Sequence, residues 1–283
     1  MYVFKAAVLG AGTMGAEIAQ VISLSGLPVV LKDVDEAQLE RGMAHIRDIY
    51  ARRAQRGRIS EHDAEDRIAL ITPQVGFEGF SDVDLVIEAV PEKLSLKQAV
   101  LAEVEAQVSK TALLATNTSA LPVTEVGAKL QKPQRLVGMH FFFPASVMKL
   151  VEVIAGSETD EEYVDSAVEF VESIRRIGVR VRECPGFLVN RILMAGLAEV
   201  FRAERDLGLQ PREIDAAVAA SRLAPMGPYA LADALGLDIA EDVAQTLSAA
   251  YGERFDLGDR ITRLLAEGKR GAKTGEGFYT YTG

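Results

Sequence analysis

Short apolar runs alternate with longer stretches of helical periodicity over the first two thirds of the chain. The apolar runs occupy residues 3–9, 27–31, 85–90, 112–116, 136–142 and 150–154. Strand-like runs that alternate with helical patterns in this way are typical of parallel βαβ units. The pattern therefore predicts a largely parallel sheet with helices between its strands.

Two long polar helices interrupt this alternation between the second and the third run. They are predicted over residues 36–58 and 60–71, and they meet at Gly57. Because they carry too much charge to cover a sheet along their whole length, they predict an inserted helical hairpin. Farther along, residues 159–177 predict an amphipathic helix, and the valine-rich residues 178–182 predict a short strand after it.

The pattern changes after residue 185, where strand-like runs end and helical periods dominate. Helix starts are predicted at Pro211 and Pro228, and glycines separate the helical segments. The chain is therefore divided into residues 1–185 and an all-helical domain at 186–283. Several faces of this second domain are apolar, which predicts burial against a second copy of the chain in a homodimer. The glycine-rich segment 271–279 predicts a flexible terminus.

Composition narrows the class of protein. The chain has 283 residues, 48% of them hydrophobic, a formal net charge of −10 and one cysteine, Cys184. One cysteine excludes an intramolecular disulfide and a cysteine-based zinc site, and no metal site is predicted. A polyanion needs a basic face, so nucleic acid is not expected as a partner. The first strand begins almost at once and no run is long enough to span a membrane, so a cytoplasmic protein is expected.

The first apolar run breaks into a glycine loop and then a helix. In such a loop Gly10 permits the tight turn, Gly12 lets the backbone approach a pyrophosphate, and Gly15 lets the helix pack on the strand. Asp33 closes the second run, where an acidic side chain binds the ribose hydroxyls and disfavours a 2′-phosphate. The alternative is a glycine turn without a ligand. The predicted NAD site comprises Gly10, Gly12, Thr13, Met14, Gly15 and Asp33. The first domain is accordingly predicted as a doubly wound parallel sheet of the Rossmann type, with the helical hairpin inserted.

His140 lies where the run 136–142 ends, at the edge of the sheet that faces the cofactor crevice. Imidazole is the side-chain group suited to general-base catalysis at neutral pH, although a buried structural histidine is the alternative. Glu152 stands inside an apolar strand and needs a partner. His140 is the best placed partner, because a carboxylate would fix its tautomer and stabilise the imidazolium. Lys149 is the alternative. His45 and His62 lie in charged helical segments and are expected to be solvated.

Two further polar positions lie near predicted element ends. Ser119 belongs to an Asn-Thr-Ser turn after the run 112–116, again at the crevice edge, and this turn is also compatible with an ordinary helix cap. Asn190 lies on the first turn of the helical domain, where it could contact a substrate or make an interdomain hydrogen bond.

Eight sequence blocks together resemble the L-3-hydroxyacyl-CoA dehydrogenases, including the short-chain 3-hydroxybutyryl-CoA members. They are the glycine loop at 10–15, Glu-Ala-Val-Pro-Glu at 88–92, Asn-Thr-Ser at 117–119, His-Phe-Phe at 140–142, Met-Lys-Leu-Val-Glu-Val at 148–153, Pro-Gly-Phe with Asn-Arg within 185–191, Pro-Met-Gly-Pro at 225–228 and Lys-Thr-Gly-Glu-Gly-Phe-Tyr at 273–279. The blocks follow the family's order and approximate spacing nearly end to end.

The resemblance implies a role for each matching residue. It implies that His140 is the general base and that Glu152 orients it. It also implies that Ser119 hydrogen-bonds the reacting oxygen and the nicotinamide region of NAD, and that Asn190 helps to hold the substrate and His140 in place. Further NAD contacts implied by the resemblance are Glu92, Lys97 and Lys273. The family binds CoA partly through the helical hairpin, and arginines on that hairpin suit its phosphates. The implied CoA contacts are Arg53, Arg56 and Ser119. A solvated charged helix face is the alternative for these arginines.

The chain departs from the family at two positions. Phe143 stands where the family usually has an Asn that contacts the cofactor, and Ala120 replaces a frequent serine. A phenyl ring neither donates nor accepts, so a rearranged contact with the nicotinamide side is expected. The expected activity is NAD-dependent interconversion of an L-3-hydroxyacyl-CoA and a 3-oxoacyl-CoA. Two alternatives stay open, a dehydrogenase of a free hydroxy or sugar acid similar to gulonate dehydrogenase, and a non-catalytic NAD-binding sensor or structural protein.

Overall fold

The computed structural model describes residues 2–281, and the chain forms two compact units that divide between Cys184 and Pro185. The predicted division was between residues 185 and 186; Met1 and residues 282–283, at the ends of the two predicted domains, lie outside the described residues. Each unit is described by itself. None of the helices within residues 2–281 combines the length and the apolar character that a membrane span requires.

Within the described residues, the first unit contains one sheet of eight strands in the order β3-β2-β1-β4-β5-β6-β7-β8. The strands are β1 Ala6–Leu9, β2 Val29–Lys32, β3 Ile71–Gln74, β4 Leu85–Glu88, β5 Leu113–Thr116, β6 Leu136–Phe141, β7 Leu150–Ala155 and β8 Ile177–Arg182. All neighbours from β3 to β6 are parallel, and β1, β4 and β5 are buried throughout. Strands covered on both faces read as continuous apolar runs, which is why the sequence revealed them.

The sheet departs from a wholly parallel arrangement at β7, which runs antiparallel to β6, while β8 is parallel to β7. Only residues 142–149 join β6 to β7, too few for the helical crossover that a parallel connection needs. The edge strand β3 was not predicted, because the two residues in its middle are exposed and one of them, Pro73, cannot donate to a sheet. Proline is tolerated there because β3 lies at the edge.

The helices of the first unit are α1 Thr13–Leu24, α2 Glu36–Gln55, α3 Glu61–Ala69, α4 Leu94–Glu105, α5 Val123–Val126 and α6 Glu161–Ser173. The predicted hairpin corresponds to α2 and α3, which are capped by the side chains of Asp35 and Ser60. Most of its charged residues face solvent, whereas an apolar stripe that includes Met43, Ile46 and Tyr50 is buried in the core shared with α1. One face of α2 therefore packs, although most of its surface is polar.

The second unit contains α7 Val189–Leu207, α8 Pro211–Ser221, α9 Pro228–Leu235, α10 Leu237–Tyr251 and α11 Asp259–Ala266. Its core is built around aromatic rings. The rings of Phe201 and Tyr229 stack with centroids 4.9 Å apart, and Phe278 packs edge-on against both. Phe278 belongs to the segment 271–279, so this segment contributes to the core.

The prediction of a flexible C-terminal segment was wrong. Asp233, which is buried on α9, accepts hydrogen bonds from the backbone N–H groups of Phe278 and Tyr279, each at 2.9 Å, and from the hydroxyl of Tyr281 at 3.0 Å. Burial, and after it Asp233, raises the pKa of Tyr281 to about 12. A glycine-rich sequence looked mobile because the acceptor that orders it lies about forty residues earlier in the chain.

Replacing Asp233 with alanine is expected to lower the free energy of unfolding of the protein by about 2–4 kcal/mol, because three donors lose their acceptor and two of them are backbone groups. Urea unfolding measures this loss, and limited proteolysis should show earlier cleavage within residues 271–281. The control is Asp242→Ala, since Asp242 is exposed on α10. Equal stabilities of the two variants would contradict the proposed role of Asp233.

Candidate active site

The register between β6 and β7 brings His140 and Glu152 directly opposite each other. Opposed residues of an antiparallel pair point to the same face, and the distance from Nδ1 of His140 to Oε2 of Glu152 is 2.7 Å. Both side chains are buried. A carboxylate on Nδ1 favours the tautomer with the proton on that nitrogen, so Nε2 becomes the nitrogen that can accept a proton. The pair can therefore act as an oriented base.

The neighbouring strand end supports the position of His140. Asn117 follows β5, and its Oδ1 accepts a hydrogen bond of 2.9 Å from the backbone N–H of Phe141. The ring of Phe142 lies 4.4 Å from that of His140, centroid to centroid. His140 is thus fixed by its strand, by its carboxylate and by the residues on either side of it.

Ser119 is exposed in the loop after β5, and Glu92 holds that loop. Oε1 of Glu92 accepts hydrogen bonds from the hydroxyl of Thr118 at 2.6 Å and from the backbone N–H groups of Ser119 at 2.9 Å and Ala120 at 3.3 Å. One carboxylate therefore gathers three consecutive residues. The loop displays the Ser119 hydroxyl at the same edge of the sheet as His140, because β5 and β6 are parallel neighbours.

Lys97, a predicted NAD contact, lies beneath this loop with its side chain 0% exposed. Its ammonium group is 2.9 Å from Oε1 of Glu88 and 3.2 Å from Oε2 of Glu92. Glu88 ends β4 and also accepts hydrogen bonds from the hydroxyl of Thr116 at 2.6 Å and the backbone N–H of Val90 at 2.7 Å. The structure therefore gives Lys97 a clear function as the partner of two carboxylates.

Burial and charge act in opposite directions on these two carboxyl groups. Burial raises the pKa of Glu88 above its ordinary value, although Lys97 and Thr116 oppose the rise. Burial would also raise the pKa of Glu92, but Lys97 and the hydrogen bonds from Thr118 and Ser119 bring it below its ordinary value. Glu92 is therefore ionised near neutral pH and can hold the loop through charge-assisted hydrogen bonds.

The glycine loop between β1 and α1 has the shape that a dinucleotide requires. Gly10 has φ of 100°, and a Cβ there would lie 2.8 Å from the carbonyl oxygen of Ala89. A Cβ at Gly15 would lie 1.8 Å from the carbonyl oxygen of Gly10, whereas one at Gly12 would meet nothing within 4 Å. The backbone is therefore open at Gly12, in front of the N-terminus of α1, whose first turn carries no acidic residue. These residues fit NAD.

Asp33 connects the end of β2 to this loop. One carboxylate oxygen accepts the backbone N–H of Ala11 at 2.6 Å, and the other accepts that of Val34 at 2.6 Å. Gly42 on α2 was not recognised from the sequence as part of the site, yet a Cβ there would lie 2.7 Å from the carbonyl oxygen of Ala11. The hairpin therefore packs directly on the glycine loop, and only a glycine permits this approach.

The hairpin arginines occupy different environments. Arg52 is exposed and forms an ion pair of 2.7 Å with Asp48, which belongs to the same helix face. Arg56 and Arg58 are also exposed. Arg53 is half-buried, and its Nε is buried with no hydrogen-bond partner among residues 2–281. The proposed contacts of Arg53 and Arg56 with CoA stay predictions.

The second unit carries the other two predicted site residues. Asn190 lies on the first turn of α7 and is half-buried. Lys273 is exposed, and its ammonium group lies 2.7 Å from Oδ2 of Asp238. The roles of both residues stay predictions.

Comparison with known proteins shows the family to which the chain is similar over its whole length. The family model for the 3-hydroxyacyl-CoA dehydrogenase NAD binding domain matches residues 5–184, and that for the 3-hydroxyacyl-CoA dehydrogenase C-terminal domain matches residues 186–281. The solved structure of (S)-3-hydroxybutyryl-CoA dehydrogenase PaaH1 from Ralstonia eutropha is 31% identical, with a TM-score of 0.94 and 100% of both chains covered. FadB2 of M. tuberculosis is 33% identical, with a TM-score of 0.93 and the same coverage. The 3-hydroxybutyryl-CoA dehydrogenase of Escherichia coli K12 is 35% identical, with a TM-score of 0.94, 99% of this chain and 60% of that chain covered.

Replacing Lys97 with methionine is expected to lower the free energy of unfolding by about 3–5 kcal/mol, because Glu88 would stay buried without its cationic partner. The double variant Glu88→Gln with Lys97→Met should regain part of this loss. Urea unfolding measures both values. The exposed Lys110→Met serves as the control and should change stability by less than about 0.5 kcal/mol. A Lys97→Met variant as stable as this control would contradict the argument.

Proposed function

Since the chain belongs to the 3-hydroxyacyl-CoA dehydrogenase family, we propose that it interconverts L-3-hydroxyacyl-CoA and 3-oxoacyl-CoA, with short-chain 3-hydroxybutyryl-CoA as its substrate. It is an NAD-dependent oxidoreductase. The observation that carries the proposed reaction is the buried contact of 2.7 Å between His140 and Glu152 at the carboxyl edge of the sheet.

In the proposed oxidation, Nε2 of His140 accepts the proton of the 3-hydroxyl group, and the carbon–oxygen bond becomes a carbonyl as the hydride leaves C3. Glu152 stabilises the imidazolium that forms, which lowers the barrier to proton transfer. Ser119 donates a hydrogen bond to the reacting oxygen and stabilises the negative charge that develops on this oxygen. NAD supplies the acceptor for the hydride when it is bound. In the reverse direction the His140 imidazolium returns the proton.

The CoA part of the proposed substrate requires cations for its phosphates. We propose that Arg53 and Arg56 supply them, supported by their position together at the end of α2 and by the exposure of Arg56. Guanidinium groups bind phosphates through two parallel hydrogen bonds, and a free hydroxy acid has no phosphate to accept them. The acyl chain length follows only from the resemblance to short-chain members and is part of the proposal.

We also propose a homodimer that forms through the helical unit. Its surface exposes several large apolar side chains, among them Ile192, Leu223 and Ile239. Contiguous apolar surface favours association with a second copy. The proposed location is cytoplasmic, which fits a chain with one cysteine, and the proposed reaction belongs to fatty acid metabolism.

His140→Gln is expected to lower kcat by about 10²–10⁴-fold, because a glutamine cannot accept the hydroxyl proton. Glu152→Gln should lower kcat in the same direction, since an amide does not stabilise the imidazolium. NADH formation with 3-hydroxybutyryl-CoA measures kcat, and NADH fluorescence should show little change in cofactor affinity. His62→Gln is the control, because that side chain is solvent-exposed. Near-normal turnover by His140→Gln would remove it from its proposed role.

Replacing Arg53 and Arg56 together with alanine should raise KM for the acyl-CoA about tenfold or more, since two charge-assisted contacts are lost. The kcat value and the KM for NAD should stay close to wild type. Arg47→Ala on the same helix is the matched control, because Arg47 is exposed. An unchanged KM, or oxidation of free 3-hydroxybutyrate at least as efficient as that of its CoA thioester, would favour the free-acid alternative.

A further inference from the structure

The loop of residues 142–149 connects the two strands that carry His140 and Glu152, and only part of it is buried. Ala145 packs in the core of the unit, at 1% exposed. Phe143 is 65% exposed, and Val147 is 70% exposed. The loop contains a backbone turn in which the N–H groups of Val147 and Met148 donate to the carbonyl of Pro144 at 3.0 and 2.9 Å. Hydrogen bonds from other segments of the unit also hold the backbone of this loop.

One peptide group of this loop is held from both sides by charged side chains. The carbonyl oxygen of Ala145 accepts a hydrogen bond of 3.1 Å from Nη2 of Arg176, and the N–H of Ser146 donates one of 2.8 Å to Oε2 of Glu17. These two backbone atoms belong to the same peptide bond. Glu17 comes from α1, and Arg176 comes from the turn between α6 and β8. We call this arrangement the peptide clamp.

Glu17 is an unusual residue for the middle of a buried helix face. Its side chain is only 4% exposed, and burial of a carboxylate is costly unless the group is hydrogen-bonded. Its second oxygen, Oε1, lies 3.4 Å from Nε2 of His45 on α2. Glu17 therefore connects three segments of the first unit, namely α1, the hairpin and the loop 142–149.

The peptide clamp connects the loop between His140 and Glu152 to the helix of the predicted NAD site. Glu17 lies one helical turn after Thr13, the first residue of the helix that follows the glycine loop. Ser146 lies six residues after His140 and six before Glu152. A hydrogen bond between Glu17 and Ser146 therefore fixes the segment between the two members of the pair against the helix that faces the dinucleotide pyrophosphate.

We propose that Glu17 and Arg176 are positioning residues for the dehydrogenase reaction, which align the loop 142–149, and with it the His140–Glu152 pair, to the cofactor-binding helix by clamping the peptide between Ala145 and Ser146. This inference rests on the proposed function. Neither side chain takes part in the chemistry. Displacement of a reacting group by about 1 Å can cost about 10²-fold in rate, so a clamp of this kind affects turnover although it lies outside the reaction.

The test uses paired variants that keep or remove each hydrogen bond. Glu17→Gln retains an acceptor oxygen, whereas Glu17→Met retains only the length of the side chain. Arg176→Lys retains a donor, and Arg176→Met does not. Exposed residues of α2 provide the controls Glu40→Met and Arg47→Met. Each variant is measured for kcat, KM for acyl-CoA, NADH affinity by fluorescence and melting temperature.

We expect Glu17→Met and Arg176→Met each to lower kcat by about tenfold or more, with KM for acyl-CoA and NADH affinity changed by less than about threefold. Glu17→Gln and Arg176→Lys should recover most of kcat. The double methionine variant should be little slower than either single variant, because both residues hold one peptide group and their effects are not additive. Backbone amide exchange at residues 146–148 should become faster in both methionine variants, whether or not substrate is present.

The inference is wrong if folded Glu17→Met and Arg176→Met both turn over like the control variants, or if Glu17→Gln is as slow as Glu17→Met. It is also wrong if amide exchange in the loop is unchanged. If Glu17→Met does not fold, the comparison of Arg176→Lys with Arg176→Met decides. Failure of the proposed function is separate, because it appears as a wild-type enzyme that does not oxidise 3-hydroxybutyryl-CoA, while amide exchange still reports on the clamp.

Discussion

Antiparallel pairing of β6 with β7 fixes the relation between the two side chains on which the proposed chemistry depends. Directly opposed residues in such a pair have Cβ atoms about 4.5–5.5 Å apart, close enough for a histidine and a glutamate to meet. A slip of one residue would turn Glu152 to the other face of the sheet. The buried valines on either side of Glu152 resist such a slip, because it would also exchange the faces against which they pack. The same apolar packing that stabilises the sheet therefore orients the base.

Buried carboxylates fix the positions of the loops around the site. Glu152 orients His140, Glu88 fixes Lys97 beneath the Ser119 loop, and Glu17 holds a peptide of the loop 142–149. Each of them lies in the first unit at a position where desolvation is costly unless the carboxylate has a partner. Because each buried carboxylate needs a partner, it favours one position of its loop. Alternative loop positions would leave the carboxylate buried and unpaired. Stability and site geometry are thus tied to the same groups.

The features of the fold that could be predicted are those that depend on residues close together in the sequence. The glycine loop, the apolar strands and the isolated Glu152 in an apolar run all follow from neighbouring residues. The antiparallel direction of β7 was missed, although the shortness of the segment 142–149 was visible in the sequence. The strand β3 was missed because its exposed middle residues break the apolar pattern. The bounds of α4 were not predicted, although a helix was expected between the strands on either side of it, because its apolar and polar residues are only weakly segregated.

Interactions between distant residues account for the rest. Asp233 orders a tail about forty residues away, and nothing in the glycine-rich tail itself indicates an acceptor. Lys97 was assigned to the cofactor by resemblance, and its burial under Glu88 and Glu92 depends on the packing of α4 against the sheet. A lysine in a helical pattern is ordinarily exposed, so sequence periodicity gives no sign of this. Tertiary partners of charged groups are therefore the least predictable feature of this site.

The position of Phe143 shows why the chemistry and the cofactor contacts can change independently. Its ring is largely exposed, and the loop that carries it is attached through a backbone peptide group and not through this side chain. A change from a carboxamide to a phenyl ring at this position alters what the loop presents to its surroundings. It leaves the register of β6 and β7 unchanged, and with it the distance between His140 and Glu152. Strand register therefore fixes the position of His140 relative to Glu152, whereas the loop side chains determine the contacts around this pair.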